Sequence, residues 1–176
     1  MYTGTWNVNA KRPKESLAPW LVRKDQPQPD VFALGFQEIV DLNAGNLLVD
    51  HKASDPWIEE IKQTFVENYK EEYLLVMSKH LVGILLVVFV KAEHRAFVSD
   101  VLSDSAGVGV MGVGGNKGGV AIRFKIYNTS VCIVCSHLAA HQHNVQGRNA
   151  DFLNISTKLK FELRRENKTS EIRNHE

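Results

Sequence analysis

The segment from Leu81 to Val90 limits the possible folds most sharply, because it reads Leu-Val-Gly-Ile-Leu-Leu-Val-Val-Phe-Val with no polar residue in it. A strand with one face in water alternates apolar and polar residues, whereas a strand apolar on both faces belongs in the middle of a covered sheet. The run is about half of the ~20 residues that a membrane span needs, and Gly83 interrupts it. The expectation is therefore a soluble domain with layers on both sides of a central sheet. A chain of 176 residues, 44% hydrophobic and 23% charged, is long enough for one such domain and should bury roughly 70% of its unfolded surface.

Strand and helix signals alternate around that run. Thr3 to Val8 reads as a first strand, followed by a Lys/Arg/Pro loop, a short helix around Leu17 to Arg23, and a break at Gln26-Pro27-Gln28-Pro29. Val31 to Phe36 is a second buried strand with Gln37 and Glu38 at its exit. Asp55-Pro56 starts a helix, with Asp55 as its cap and Ile58, Ile61 and Phe65 on one face. Tyr73 to Met77 is a further strand. Val120, Ile122, Phe124 and Ile126 alternate with Ala121, Arg123, Lys125 and Tyr127, which predicts a strand with one wet face. Val131 to Cys135 pairs with it across Tyr127-Asn128-Thr129-Ser130. Phe152, Ile155, Leu159 and Leu163 predict a second amphipathic helix from about Val145 to Arg165, and residues 167–176 read as a polar, frayed tail.

Chemistry concentrates where strands end. Ser136-His137-Leu138-Ala139-Ala140-His141 follows the strand at Cys135, at the kind of sheet rim where open α/β architectures place binding crevices. The glycine-rich stretch from Gly107 to Gly119 contains a literal GxGxxG. A strand rather than a helix follows it, no acidic residue stands about 20 positions on, and Lys117 is followed by glycine rather than serine or threonine. Neither a dinucleotide site nor a P-loop fits. An anion-binding nest with Lys117 at its centre does. Glu38 is a candidate magnesium ligand, since Mg²⁺ takes one or two carboxylates and completes its shell with water and phosphate oxygens. Asn7, at the exit of the first strand, offers an amide beside it.

Other readings are weaker. A zinc site on His137, His141 and His143 lacks HExxH or a comparable spacing. Cys132 and Cys135 are three residues apart on one strand and so point to opposite faces, which speaks against a CxxC pair and for a reducing compartment. A formal net charge of +1 gives no global field to draw the chain onto nucleic acid or anionic lipid, so any anion site must be local. The start Met1-Tyr2-Thr3-Gly4-Thr5-Trp6 lacks a basic segment followed by an apolar one, which fits a cytoplasmic protein.

Together, Thr5-Trp6-Asn7-Val8-Asn9, Gly35-Phe36-Gln37-Glu38, Gly115-Asn116-Lys117-Gly118-Gly119 with the strand that follows, and Ser136-His137-Leu138-Ala139-Ala140-His141 resemble the inositol polyphosphate 5-phosphatases. Leu81-Val82-Gly83-Ile84 and Arg148-Asn149-Ala150-Asp151-Phe152 also fit. The variant resembles the synaptojanin and Lowe-syndrome-protein type, with Asp41-Leu42-Asn43-Ala44-Gly45-Asn46 especially synaptojanin-like.

The resemblance implies an α/β (α+β) fold, the deoxyribonuclease-I-like four-layer sandwich of endonucleases, exonucleases and phosphatases. It implies Mg²⁺-dependent hydrolysis of the 5-phosphate of phosphoinositides or soluble inositol polyphosphates, in the cytoplasm or peripherally on endomembranes or the plasma membrane. By position, Glu38 would bind the metal with Asn7 beside it, and His137 would contact the scissile phosphate. Asn116 and Lys117 would hold another substrate phosphate, supported by His141 and Arg148.

Two departures are local: Ala10 replaces a glycine, and Gly147 replaces an arginine. A third is larger, because the family continues beyond the equivalent of Glu176 with a Gly-Asp-x-Asn strand, a basic loop that reads the 4-phosphate, and a Ser-Asp-His segment. Residues 1–176 are thus expected to be the N-terminal half of a catalytic domain, incomplete at the C-terminus and inactive alone. The alternative is a non-catalytic phosphoinositide-binding module. Protein partners are not indicated.

Overall fold

The computed structural model describes residues 1–40, 53–108, 117–163, 168–172 and 175. Strand β4 (Ile84–Lys91) lies between β2 (Val31–Gln37) and β3 (Tyr73–Leu81), and β1 (Tyr2–Asn7) completes a sheet in the order β1-β2-β4-β3. β1 runs parallel to β2, while β4 runs antiparallel to both of its neighbours, β2 and β3. A second sheet, antiparallel throughout, comprises β5 (Val98–Gly107), β6 (Gly118–Ile126) and β7 (Thr129–His137).

The expectation for the apolar run holds: Ile84 to Val90 are all buried. Its start is corrected, because Leu81 closes β3 and Val82-Gly83 forms the turn into β4, with Val82 at φ 49°.

Strand periodicity sorts the core into layers. Phe32, Leu34 and Phe36 of β2 and Leu85, Val87 and Phe89 of β4 face α1 (Ala18–Leu21) and α2 (Asp55–Asn68), meeting Leu21, Trp57, Ile58, Ile61 and Phe65. The alternate residues, Val31 and Ala33 with Ile84, Leu86, Val88 and Val90, face the second sheet and meet Val120, Ile122, Phe124 and Cys135. Each fully buried large side chain contributes roughly 1.5–3 kcal/mol of transfer free energy, so both faces of β4 are anchored. α2 begins at Asp55 as expected, but Ser54 occupies the cap position.

The predicted wet face of β6 is wet only toward its end, at Lys125 and Tyr127. Ala121 packs with Ala106, Ile155, Leu159 and Phe161 beneath α3 (Val145–Lys158) and β8 (Lys160–Leu163). Arg123 is only 3% exposed, and its Nη1 donates to the Asp100 carbonyl at 3.1 Å. The order is helix, sheet, sheet, then helix with a small hairpin: the expected four-layer sandwich.

The C-terminal region departs from expectation. α3 ends at Lys158 with Phe152 exposed, Leu159 takes the cap position, and Leu163 belongs to β8. β9 (Lys168–Glu171) pairs antiparallel with β8, so these residues of the expected frayed tail form a strand. Leu159 and Phe161 are buried under the second sheet, and that burial holds the hairpin in place. Among the described residues no helix is long and apolar enough to cross a membrane.

Burial makes the domain alkali-sensitive. It pushes the Cys132 and Cys135 thiols up to about 11 and raises the Tyr2, Tyr69 and Tyr73 phenols above their ordinary value of 10.0. Groups raised on folding favour the folded state while protonated; their contribution is complete below the unfolded values and lost as pH rises through the folded ones. Thermal unfolding followed by circular dichroism should show stability falling steadily from about pH 9 to 11; a flat profile over that window would contradict the buried placement.

Candidate active site

Two strand pairs deliver side chains to one rim. Asn7 and Gln37 are register partners at the ends of parallel β1 and β2, and the pairing continues as Val8 N–H donates to the Gln37 carbonyl (2.9 Å) and Ala10 N–H to the Glu38 carbonyl (2.7 Å). In the other sheet Gly118, which opens β6, lies opposite His137, which closes β7. Lys117 and His137 therefore leave the second sheet side by side.

The sheets are fastened close to this rim. Gln37 Nε2 donates to Thr5 Oγ1 (2.9 Å) and to Cys135 Sγ (3.3 Å), bridging β1, β2 and β7. Gly35 lies so close to Cys135 that a Cβ on it would stand 2.7 Å from Sγ.

Glu38 emerges with φ 57°, a left-handed conformation that costs a non-glycine residue roughly 1–3 kcal/mol. The β3–β4 turn holds it there: Ile39 N–H donates to the Gly83 carbonyl at 3.1 Å, and the Cβ position of Gly83 is 3.4 Å from Glu38 Cα. The strain aims the carboxylate along the rim. Asn7 Nδ2 donates to Glu38 Oε1 at 3.0 Å, while Asn7 Oδ1 accepts the Asn9 N–H at 3.0 Å. That second bond fixes the amide so that its NH₂ faces the carboxylate.

His137 Nε2 lies 3.5 Å from Glu38 Oε1 and 3.2 Å from Lys117 Nζ. One nitrogen serves both neighbours only by changing protonation: it accepts from the ammonium with its lone pair and approaches the carboxylate favourably with a proton. An anion inserted between Lys117 and His137 would favour the protonated form. Burial pushes the Lys117 ammonium below the ordinary lysine value, against the opposing attraction of Glu38 and Asp151. The site thus holds a partly desolvated cation beside the His137 imidazole and the Glu38 carboxylate.

Of the residues named from sequence, the structure brings together Asn7, Glu38, Lys117 and His137. Arg148 is engaged elsewhere: Nη1 donates to the His141 carbonyl (2.6 Å) and Nη2 to the Gln142 carbonyl (3.0 Å). His141 is exposed, at φ 74°. Asn116 and the segment Asp41 to Asn46 lie outside the described residues, as does most of the glycine-rich nest.

Sequence reasoning missed the part played by Asp151, whose Oδ2 accepts the Ala139 N–H at 2.7 Å and pins the loop after β7. A signal was present, since Asp151 is the only acidic residue between Asp104 and Glu162. It also missed Gln37 as the bridge between the sheets.

The donor set fits a hard divalent cation. Glu38 supplies an anionic oxygen on a side chain 27% exposed, which suits an ion that keeps several waters and needs only one or two protein carboxylates. The cysteines are turned to other work, Cys132 packing under the C-terminal layers and Cys135 lying between the sheets where it bonds Gln37. A second cluster, Asp30, Glu93 and His94, lies at the opposite end of β2. There Lys91 already pairs with Asp30 at 3.1 Å and holds its carboxyl below the usual range, so a lysine occupies the place of a metal.

Ala10 has φ 57°, where a Cβ costs roughly 1–2 kcal/mol relative to glycine. Ala10→Gly should therefore be neutral to stabilising by up to about 1 kcal/mol in urea unfolding; a loss of more than that would mean the left-handed turn is misplaced.

The chain belongs to the Endonuclease/Exonuclease/phosphatase family 2, whose profile matches residues 4–176. Within it, the chain is similar to the type II inositol 1,4,5-trisphosphate 5-phosphatase of Mus musculus, 41% identical over 160 residues that cover 91% of this chain and 16% of the mouse protein. Synaptojanin-1 of Homo sapiens is 39% identical over 183 residues, covering 92% of this chain and 11% of the human protein. The crystal structure of the inositol polyphosphate 5-phosphatase domain of SpSynaptojanin, in complex with inositol (1,4)-bisphosphate and calcium ion, superposes with a TM-score of 0.83 at 30% identity, covering 98% of this chain and 48% of that one. The expected relationship to inositol polyphosphate 5-phosphatases is borne out. The chain spans about half of that solved domain and under a fifth of these two curated relatives.

Proposed function

We propose that this chain carries the metal- and phosphate-binding wall of a Mg²⁺-dependent inositol polyphosphate 5-phosphatase, acting on phosphoinositides such as phosphatidylinositol 4,5-bisphosphate or on soluble inositol polyphosphates in the cytoplasm. The observation that carries the proposal is the convergence of Asn7, Glu38, Lys117 and His137 from two sheets within 3.5 Å contacts. Phosphoryl transfer to water demands charge neutralisation and positioning more than covalent help from the protein. Lys117 supplies a preformed positive charge, partly shielded from water. His137 Nε2, released from Lys117 by an entering phosphate, carries a proton and donates it as a hydrogen bond to a phosphate oxygen. Glu38, oriented by Asn7, is the ligand for Mg²⁺, which when bound would polarise the phosphoryl oxygens and lower the charge barrier to attack. The exposed His141 and the loop that Arg148 clips lie downstream of His137, where they would border the rest of the substrate, with Asn116 beside Lys117.

A second reading, binding without turnover, has its own observation. Asp151 is bonded to the Ala139 N–H, and Glu38 is held by Asn7 and faces His137. Among the described residues no further Asp, Glu, His or Cys joins Glu38 and His137 in a group of three at this rim. We therefore expect the 176-residue chain to bind the headgroup and release no phosphate from it. Magnesium-dependent phosphate release by this chain, lost in Glu38→Ala, would show instead that the chain includes a complete catalytic set.

A further inference from the structure

The Lys/Arg/Pro loop after β1 plays no part in the phosphate site, yet it borders it. Lys11, Arg12 and Lys14 are exposed at the edge of a groove of about 580 Å³ that Trp6, Trp20 and Trp57 also line. Trp6 is 45% exposed, and its ring is held edge-on by Trp20 at 5.5 Å and Trp57 at 6.0 Å between centroids. Asn7, the neighbour of Trp6, lines the same groove and bonds Glu38. Groove and phosphate site are thus contiguous.

We propose that this groove docks on an anionic phospholipid surface, Trp6 entering the headgroup layer while Lys11, Arg12 and Lys14 lie against lipid phosphates. Charge complementarity identifies the occupant: three cations stand within four residues of a chain whose net charge is +1, and Glu15 is the sole acid among the lining residues. Cations on flexible stems beside an indole with one apolar and one polar side form the combination that partitions to a bilayer interface. Pro13 within the loop removes a backbone donor, which argues against its accepting a peptide as an added strand. Docking here would bring the rim with Glu38 and His137 to the bilayer. That consequence rests on the phosphoinositide reading, whereas the docking itself does not.

The test uses vesicles of phosphatidylcholine with phosphatidylserine and no phosphoinositide, so its outcome is independent of headgroup recognition. The chain should co-float with them, shift its tryptophan emission to the blue, and lose binding as salt rises. Lys11→Glu/Arg12→Glu/Lys14→Glu should weaken binding at least about tenfold, with unchanged circular dichroism, and Trp6→Phe should remove most of the emission shift. No binding, equal binding to pure phosphatidylcholine, or binding unaltered by the triple substitution would each overturn the proposal. Retention by poly-glutamate at the same salt, without any vesicle binding, would assign the loop to an acidic polypeptide and also overturn it.

Discussion

Replacing Lys117 with methionine is expected to weaken binding of the soluble phosphatidylinositol 4,5-bisphosphate headgroup by about ten- to hundredfold, the worth of roughly 1.5–3 kcal/mol for a hydrogen bond to a charged group. The effect should be large because the ammonium is already partly desolvated, and because His137 Nε2 lies 3.2 Å away to share the same anion. Methionine keeps much of the stem, so thermal unfolding should be little changed. Calorimetry separates the two results: a loss of affinity at constant stability supports a binding role, whereas a loss of stability at constant affinity would make Lys117 a structural residue. Glu38→Gln should act differently, abolishing the magnesium dependence of binding while leaving a weaker, metal-independent affinity. It should also leave Lys117 with less opposition to the effect of burial, since Glu38 is one of two carboxylates that favour the charged ammonium. Lys117 should then react faster with an acylating reagent at pH 8.

Gly35→Ala is expected to lower the stability of the domain strongly. Its Cβ would meet Cys135 Sγ at 2.7 Å and Cys135 Cβ at 3.1 Å, in the packed space between the two sheets. Cys135 is 6% exposed and cannot swing into water. Overpacking of this kind costs about 1–3 kcal/mol, and at this chain length each 1 kcal/mol lowers Tm by about 2–4 °C. The damage should reach the site, because Gln37 bonds Cys135 Sγ and immediately precedes Glu38. Cys135→Ala in the same molecule should return most of the lost stability, giving a coupling that two distant substitutions do not show. An unchanged Tm for Gly35→Ala would mean that the sheets do not meet here.

Much of the fold was legible because burial on both faces leaves a plain mark in sequence. β2 and β4 are such runs, and each was found within a few residues of its bounds. The second face of β6 was not legible, since Ala121 and Arg123 look solvent-exposed in a simple alternation. Arg123 nonetheless lies under the C-terminal layers with its guanidinium bonded to a backbone carbonyl. The extent of α3 was overread for a related reason. Ile155, Leu159 and Leu163 are spaced by four and imitate a helix, while the period-two pattern of Lys160-Phe161-Glu162-Leu163 belongs to β8.

At the site, Asn7, Glu38 and His137 were legible because strands rich in β-branched and aromatic residues end immediately before them. Arg148 and Asp151 act on backbone atoms of the loop after β7, and bonds to backbone leave no partner residue type to recognise.

Asn7, Glu38, Lys117 and His137 are expected to form one site. Titration of the soluble headgroup with magnesium present, followed by NMR at the His137 imidazole, addresses that directly. The ring signals should shift and saturate together with the calorimetric binding curve, report a proton gained at Nε2, and respond much less in Lys117→Met. Headgroup binding that leaves the His137 ring unperturbed would place the phosphate elsewhere and contradict the account.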